Sequence, residues 1–532
     1  MTNWGWRTTT YVVTTMWKWY LLHPVLGRAT AYIAPSVSTV FFSNKLHLVQ
    51  LVPVFYAAYS SLFVTFSFGW EVTLLFLGQH AAFYAAAASH FPSLCYVAAI
   101  VIHCQKFVLP YDPFELVPVF YAAYSSLFVT FSFGWEVTLL FLGQHAAFYA
   151  AAASHFPSLC YVAAIVIHCQ KFVLPYDPFE YMYPRYGLMP YRAAFVAFHW
   201  NLMRGLSFSL DFVRAKRQKH SDENKSRWPP YWQSLAYFIY LPTMYLGPPQ
   251  NYDDFVAELN KTRAPCTPRV IAGAIGRLLR SGAHFFLMEL LGHFLYSSAM
   301  SEWPWIGERL DLFSLVGYAL SLLFLFYMRY RFTYGFAGAL ANAEGVEVPP
   351  HSPCIAIMHR CSHFWRYFDR GMHKWIRRYI YEPVVAGRRR AFRLVLGTAV
   401  AFTFTWVWHS MYMHDGIWCA LSVLGIALEV ITMEARKWTP IKNFEGRYLA
   451  SAERMRVAKA FLGSPHFLLT ICACIFHLAE LEVCLIICRR VLTGFPFPIV
   501  PILVVLYSAC HVALDVAEWE ASAIAKQKQA SS

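Results

Sequence analysis

Residues 391–435 read AFRLVLGTAVAFTFTWVWHSMYMHDGIWCALSVLGIALEVITMEA. The stretch contains two apolar segments, 391–413 and 417–433. A helix needs about 17–25 apolar residues to cross a bilayer, and both segments have that length. Strongly basic loops flank the pair, and short loops rich in Lys and Arg stay on the cytoplasmic side of a membrane. The pattern therefore predicts a helical hairpin whose turn, around His414-Asp415-Gly416, faces the opposite side.

The rest of the chain has the same character. Of its 532 residues, 58% are hydrophobic and only 14% are charged, against about 25% charged in an ordinary soluble domain. Long continuous apolar runs exclude a transmembrane β-barrel, whose strands are segments of about ten residues that alternate apolar and polar side chains. The sequence predicts an all-α, polytopic transmembrane helical bundle. Its further candidate spans are 71–90, 92–109, 192–213, 269–300, 311–328, 461–488 and 497–517.

The distribution of charge argues against a nucleic-acid partner, although the net charge is +14. The basic residues lie between the apolar spans, with six Lys/Arg in 214–227, eight in 370–393 and seven in 436–459. Loops of this kind determine membrane topology. They also face the anionic head groups of cytoplasmic lipids and could meet an anionic co-substrate.

An internal repeat is present near the N-terminus, where residues 51–115 recur without a single change as 116–180. Repeat architectures diverge in sequence and usually have three units or more. Two identical copies therefore indicate a recent duplication or an assembly error, and we expect the functional protein to need one copy. Neither copy is expected to carry a catalytic residue.

His409 is the ionisable residue that the hairpin places deepest in the membrane. It follows Leu394 by 15 residues, which at about 1.5 Å per residue puts it roughly 22 Å into a hydrocarbon core of about 30 Å. An ionisable side chain at such depth is a functional candidate. The structural alternative is that His409 hydrogen-bonds across helices or joins an interfacial belt with Trp406, Trp408 and Tyr412.

The block 353–384, PCIAIMHRCSHFWRYFDRGMHKWIRRYIYEPV, mixes aromatic, charged and histidine residues. It is too polar for a lipid-facing span, and the spacing of its Cys and His residues matches no familiar zinc finger. An interfacial or re-entrant helix, buried in protein where its backbone groups can be satisfied, fits better.

Several of these stretches resemble the membrane-bound O-acyltransferase family. The likeness rests on WRYFDRGMHKWIRRYIYEPV (365–384) and WHS (408–410), with support from RGLSFSLDF (204–212), YFIYLPTMYLGPPQNYDDF (237–255) and WCALSVLGIALE (418–429). Within the family it is strongest to the branch that palmitoylates the N-terminal cysteine of secreted proteins such as Hedgehog. The resemblance divides the chain into an N-terminal membrane segment (1–50), the duplication (51–180), a catalytic core (181–520) and a polar tail (521–532).

The resemblance also implies roles for individual residues. His409 matches the invariant histidine of the family, and Asp369 matches the second catalytic position, where many lipid-modifying and serine-acylating members have Asn. Trp365 and Arg366 fall where that branch shapes the acyl-CoA path, and Cys354 falls at the position of a haem b ligand. Whether Asp369 reaches His409 depends on 354–375 entering the helical bundle; otherwise Asp369 would pair with Arg366 or Arg370.

The function that the resemblance implies is transfer of a palmitoyl group from palmitoyl-CoA to the N-terminal amine of a cysteine on a secreted protein. The expected location is the endoplasmic reticulum membrane, or the Golgi, with a lipid bilayer around the protein. Three alternatives stay open: an O-acyltransferase of the same family that acts on a lipid, a glycerol derivative or a serine; a catalytically silent scaffold; and a transporter or channel. Transporters are expected to show diverged internal repeats, whereas the repeat here is undiverged.

Overall fold

The computed structural model of the protein describes residues 7–26, apart from 8, 12 and 15, and then 113–173, 179–218, 228–261, 267–387 and 390–531. The expected spans 71–90 and 92–109 and nearly all of the first repeat copy lie outside these residues. The described residues form helices, with no β-strand among them, which confirms the predicted all-α class. The main helices are α1 (16–26), α2 (Pro113–Phe133), α3 (Trp135–Ala153), α4 (Pro157–Val173), α5 (Leu188–Gln218), α6 (Tyr231–Phe238), α7 (Tyr252–Leu259), α8 (Pro268–Phe294), α9 (Leu312–Glu344), α10 (Cys361–Tyr367), α11 (Arg370–Ile376), α12 (Ala391–Trp408), α13 (Met413–Ala435), α14 (Thr439–Tyr448), α15 (Ala452–Leu478), α16 (Leu481–Leu492) and α17 (Ile499–Ser531).

Short helices connect several of these elements. They are the α-helical turns Met182–Tyr186, Ser297–Ser301, Pro304–Arg309 and Glu382–Val385, the 3-10 turns Leu241–Thr243 and Ile355–Ile357, and the π-helical turn Arg377–Tyr381.

Within the described residues, five helices are long and apolar enough to cross a membrane: α9, α12, α13, α15 and the part of α17 that ends at Lys526. They contain or overlap the predicted spans 311–328, 391–413, 417–433, 461–488 and 497–517. The predicted spans 192–213 and 269–300 are helical in α5 and α8 but do not belong to this group. Both helices carry several charged residues along their length, which lowers their apolar character.

Two predicted spans are interrupted. The run 269–300 is not one helix, because α8 ends at Phe294 and a separate helical turn begins at Ser297. The run 461–488 is not one helix either, because α15 ends at Leu478 and α16 begins at Leu481. The break puts Glu480 and Glu482 at the N-terminus of α16, where the helix dipole favours negative charge, rather than in the middle of a span.

The hairpin is present, but its turn lies earlier than predicted. Helix α12 ends at Trp408 and α13 begins at Met413, so the chain reverses over residues 409–412. Ser410 and Met411 have φ angles of 72° and 59° in this turn, a left-handed conformation that few non-glycine residues adopt. His409 is therefore the C-cap residue of α12, and Asp415 lies in the first turn of α13.

Helix α12 separates two buried apolar clusters. On one side Phe404 and Trp408 pack on a cluster that contains residues of the second repeat copy, α5, α6 and α11, among them Phe128, Phe148 and Trp375. On the other side Phe402 belongs to a cluster with residues of α9, α13, α15 and α16. Helix α12 is therefore held from both sides, which fixes the position of its C-terminal residue, His409.

The two motif segments 204–212 and 237–255 meet at Arg204 of α5. This buried guanidinium donates hydrogen bonds to the backbone oxygens of Tyr237 at 3.1 Å and Thr243 at 2.6 Å. A buried charge is tolerated where such bonds satisfy it. Arg204 thereby fixes the irregular segment after α6 against α5.

Candidate active site

A cavity of about 580 Å³ extends along α12. Its wall includes Leu394, Thr398, Ala401 and Thr405 of α12 and the C-cap residue His409. These positions recur every three or four residues and therefore share one helix face. The 15 residues from Leu394 to His409 correspond to a rise of about 22 Å. The remaining wall comes from α9, the segment 362–385, α13 and α15.

The two ends of the cavity differ in the side chains that line them. Near Leu394 the wall is formed by the segment that contains Arg377, Tyr381 and Val385; a Cβ added at Gly397 would lie 3.0 Å from the side chains of both Tyr381 and Val385. At the opposite end the wall contains His409, Trp418 and His477 together with Leu478. One end thus adjoins the basic stretch before α12, and the other carries the histidines.

His409 closes the histidine end. Its backbone N–H donates to the carbonyl of Thr405 at 3.0 Å, and its half-buried imidazole projects from the turn after α12. The ring meets Trp418 edge-on, with centroids 5.3 Å apart, and meets His477 edge-on at 4.9 Å. The predicted candidate is therefore part of a cluster of aromatic and imidazole rings at one end of a cavity.

Asp415 and His477 complete this cluster, and the sequence interpretation missed both. His477 Nδ1 lies 2.8 Å from Asp415 Oδ1, and one side-chain nitrogen or oxygen atom from each of these two residues and His409 lies within 4.8 Å of the other two. Because a hydrogen bond joins two of the three groups, we interpret the cluster as a hydrogen-bonded array. The signal was present, since an ionisable residue in an apolar span, such as His477 in 461–488, marks a functional candidate.

Asp369 lines the same cavity as His409. It precedes α11 as its N-cap residue: one carboxylate oxygen accepts from the backbone N–H of Met372 at 2.8 Å, and the other accepts from the hydroxyl of Tyr334 on α9. The structural alternative named Arg366 or Arg370 as its partner, whereas these bonds run to Tyr334 and Met372. Protein atoms surround the carboxyl group of Asp369, and this burial raises its pKa to about 6.

Trp365 and Arg366, the expected acyl-CoA path residues, both line the cavity. Trp365 packs edge-on against Phe402 of α12 at a centroid distance of 5.5 Å and contacts Trp418 of α13 at 5.3 Å. It therefore connects α10 with both arms of the hairpin. Arg366 is exposed at the end of α10.

Two further basic residues, His373 and Arg377, line the cavity beyond Asp369. Burial, followed by the charges of Arg366 and Arg377, lowers the pKa of His373 to about 4. At neutral pH its imidazole is therefore uncharged, and the cationic groups on this part of the wall are the two arginines.

Two membrane-spanning helices bind the N-terminus of α10. The backbone N–H of Ser362 donates to Glu429 of α13 at 2.9 Å, and that of Cys361 donates to His466 Nε2 of α15 at 3.2 Å. These bonds satisfy donors that the first turn of a helix leaves free. They hold 361–369 inside the bundle, as the re-entrant interpretation requires if Asp369 is to approach His409.

Cys354 is exposed and does not belong to the cavity wall; it precedes the 3-10 turn Ile355–Ile357. A thiolate that ligates haem lies in a cleft whose polarity and access tune the iron, and an exposed thiol does not fit that requirement. Haem ligation at Cys354 stays a prediction of the family resemblance.

The second repeat copy supports the site from behind. His168 of α4 stacks on Trp408 at a centroid distance of 5.9 Å, and its Nε2 lies 3.3 Å from the carbonyl oxygen of Val407. The hydroxyl of Tyr161 donates to the carbonyl oxygen of Tyr379 at 2.7 Å. One copy thus packs against the residues that precede His409.

The chain is similar in sequence to several known membrane-bound acyltransferases. The chain is 26% identical over 313 residues to protein-cysteine N-palmitoyltransferase HHAT from Mus musculus, which covers 58% of this chain and 62% of that protein. It is 29% identical over 276 residues to protein-cysteine N-palmitoyltransferase Rasp from Drosophila melanogaster, with 51% and 53% covered. It is 25% identical over 284 residues to membrane-bound O-acyltransferase GUP1 from Saccharomyces cerevisiae, with 48% of each chain covered.

The matches span less than two thirds of the length of these relatives. The model of the membrane-bound O-acyltransferase family matches residues 146–472, which is more than half of the chain and contains every residue of the cavity wall except Cys474, His477 and Leu478. The chain belongs to the membrane-bound O-acyltransferase family.

Proposed function

We propose that the protein transfers a long-chain acyl group, palmitoyl, from acyl-CoA to the N-terminal amine of a cysteine on a secreted protein such as Hedgehog. The observation that carries the proposal is the cavity along α12, which joins the basic end of the helix to His409. The two palmitoyltransferases among the relatives support the choice of acceptor.

The donor would enter from the basic end. Arg366 and Arg377 line the cavity, and arginine suits the phosphate groups of CoA because its planar fork binds them in a bidentate manner. The cavity wall is largely apolar, and its apolar residues include Leu323, Phe326, Phe364, Ala401 and Phe402. An acyl chain would lie there, out of contact with water.

His409 would act as the general base. The acceptor's α-amine has an ordinary pKa near 7.7–8.0, so its ammonium form must first release one proton to water before the neutral amine can attack the thioester carbonyl. As the new N–C bond forms, the nitrogen becomes cationic, and the neutral imidazole of His409 accepts its second proton, a form of help that typically contributes 10²–10⁴-fold to the rate. The C–S bond then breaks, and the proton held by His409 passes to the CoA thiolate.

Asp369 would receive the incoming ammonium group. With a pKa of about 6, its carboxyl group is largely ionised at neutral pH, and the hydrogen bonds from Tyr334 and Met372 fix its orientation. An anion on the cavity wall would attract the cationic acceptor and bring it to His409. Because the donor is made in the cytosol and the acceptor is lumenal, we propose the endoplasmic reticulum membrane as the site of action.

The second candidate is an O-acyltransferase that uses a lipid, glycerol or serine hydroxyl. The matches to the GUP1 proteins favour it, and His409 would serve the same purpose. Asp rather than Asn at 369 favours the amine acceptor, because a carboxylate binds a cation and an amide does not.

The test is acyl transfer by the purified full-length protein from palmitoyl-CoA to a peptide with a free N-terminal cysteine. The control peptide carries an acetylated N-terminus. We expect transfer to the free amine alone and loss of transfer in His409→Ala, whose thermal stability is measured in parallel. Release of CoA with glycerol or serine acceptors, but not with the cysteine peptide, would favour the second candidate function. A wild-type protein inactive with every acceptor would contradict both.

A further inference from the structure

The histidine cluster contains a buried carboxylate to which the mechanism above gives no role. Asp415 lies in the first turn of α13, is buried, and accepts a hydrogen bond from His477 Nδ1 at 2.8 Å. His477 lies in the last turn of α15. The pair therefore joins two helices at the end of the cavity that His409 closes.

Aromatic rings fix the orientation of His477. Trp418 stacks on its imidazole, with centroids 4.2 Å apart and planes 24° apart, and Phe326 of α9 meets it edge-on at 5.6 Å. Trp418 also meets His409 edge-on. His409 and His477 are thus held against the same indole ring, with their centroids 4.9 Å apart.

The hydrogen bond determines which nitrogen of His477 is available. If Nδ1 carries the proton donated to Asp415, Nε2 is left as an acceptor. In a serine protease the buried aspartate fixes the tautomer of the catalytic histidine in this way and stabilises the imidazolium that forms. In this protein, Asp415 would act on His409 indirectly, through the imidazole of His477.

We propose that the Asp415–His477 pair orients His409 and stabilises its protonated form during acyl transfer, so that both are positioning residues for the general base. The proposal rests on the proposed function of His409. The amine proton moves to His409 as the N–C bond forms, and the negative charge of Asp415 offsets the new positive charge through His477. When the C–S bond has broken, the proton leaves His409 for the CoA thiolate, and the pair returns to its initial state.

This role differs from that of Asp369. The carboxylate of Asp369 is bound to Tyr334 and to the N-terminus of α11, on the wall that would face the acceptor. Asp415 is instead hydrogen-bonded to His477. Two carboxylates would therefore serve one histidine, the first by binding the acceptor and the second by stabilising the imidazolium.

The groups that face His409 and its partner must be considered together in any test that varies pH. They are His477 of α15, Asp415, His414 and Cys419 of α13, and Asp369 and Tyr330 on the cavity wall.

The test compares the wild type with Asp415→Asn, Asp415→Glu and His477→Gln, in buffers that contain EDTA. Removing the carboxylate should lower kcat about 10–100-fold, which is no more than the lower bound of the 10²–10⁴-fold that general-base help contributes, with little change in KM for palmitoyl-CoA. Asp415→Glu should recover part of the loss. His511→Gln, a change of the same type on α17 where His511 contacts Tyr507 and Arg456, is the control and should keep the wild-type kcat.

A second readout needs no turnover. The rate at which diethylpyrocarbonate modifies His409, followed by mass spectrometry across pH, gives the pKa of this imidazole. Loss of an opposite charge nearby should lower that pKa by about one unit in Asp415→Asn. An unchanged pKa together with an unchanged kcat would overturn the proposal, as would a fall in kcat that follows thermal stability alone. A wild type without transferase activity would contradict the proposed function, while the pKa of His409 would still test the pair.

Discussion

Leu394 and His409 lie on the same face of α12, 15 residues apart, and both line one cavity. The helix therefore forms one wall of a path about 22 Å long between the basic stretch at its start and the imidazole at its end.

Substitution at the middle of the path should change the length of acyl chain that the protein accepts. Ala401 faces the cavity and is buried, so Ala401→Phe adds a ring where a long chain would pass. We expect the ratio of kcat/KM for palmitoyl-CoA to that for a shorter acyl-CoA to fall on the order of tenfold or more, as pocket contacts of this size typically allow. Competition assays with mixed donors measure the ratio. Val400→Phe, on the exposed side of the same helix, is the matched control and should leave it unchanged.

Different substitutions separate the N-cap contact of Asp369 from its proposed role in binding the acceptor. Asn is as good an N-cap as Asp, whereas Ala at an N-cap costs about 1 kcal/mol. Asp369→Asn should therefore keep the thermal stability of the protein and lose most of its transfer activity, while Asp369→Ala should lose both. If Asp369→Asn retained full activity, the carboxylate would serve only as a cap.

Tyr334 supplies the second hydrogen bond to this carboxylate, from the neighbouring helix α9. In Tyr334→Phe the carboxylate keeps its cap but loses this donor, so its orientation towards the acceptor becomes less defined. We expect KM for the acceptor peptide to rise while KM for palmitoyl-CoA stays near its wild-type value. Initial rates with each substrate varied in turn measure the two constants, and an equal rise in both would contradict this role.

The raised pKa of Asp369 predicts a pH-dependent stability. The pKa is about 6 in the folded protein, above the ordinary value of 3.8, so folding favours the protonated form. The stabilisation associated with that proton is fully present below about pH 4 and is lost as pH rises through 6. The melting temperature of the wild type relative to Asp369→Asn should therefore fall between pH 4 and 6 and level off above. Parallel melting curves that keep a constant separation would contradict the raised pKa.

One repeat copy should suffice for activity. Residues 51–115 and 116–180 are identical, so deletion of either copy gives the same shortened chain, which retains the residues of α3 and α4 that pack on α5 and α12. We expect this chain to fold and to transfer acyl groups at a rate within a few-fold of the full-length protein. A control deletion of 157–222 removes a similar length, including all of α4 and α5, and should abolish folding.

Much of this fold could be predicted from residue type and order. The apolar runs predict the spanning helices, and the basic loops predict the hairpin of α12 and α13, because membrane insertion responds to hydrophobicity and to Lys and Arg placement, both of which are local properties. The apolar run 461–488 did not reveal its break, since helix ends between two apolar segments depend on how each segment packs.

The candidate site was only partly visible in the sequence. His409 could be singled out from its depth, and Asp369, Trp365 and Arg366 from the family resemblance, because each lies in a recognisable stretch. Asp415 appeared to belong to a turn, and His477 lay unremarked in an apolar run 62 residues away. A sequence carries no direct measure of which distant side chains will meet.

The sequence by itself therefore determined that this is an all-α membrane protein, where several of its spanning helices lie, and that His409 is an ionisable residue deep in one of the predicted spans. The structure placed the end of that helix at Trp408, directly before His409. Only the tertiary structure decided that Asp369 lines the same cavity and that Asp415 and His477 lie beside His409. The physical reason is that hydrophobicity and charge act along the chain, whereas a hydrogen bond between α13 and α15 exists only after the helices have packed. The same packing creates the cavity, because the face of α12 that carries Leu394 and His409 becomes a wall only when α9, α10, α13 and α15 surround it.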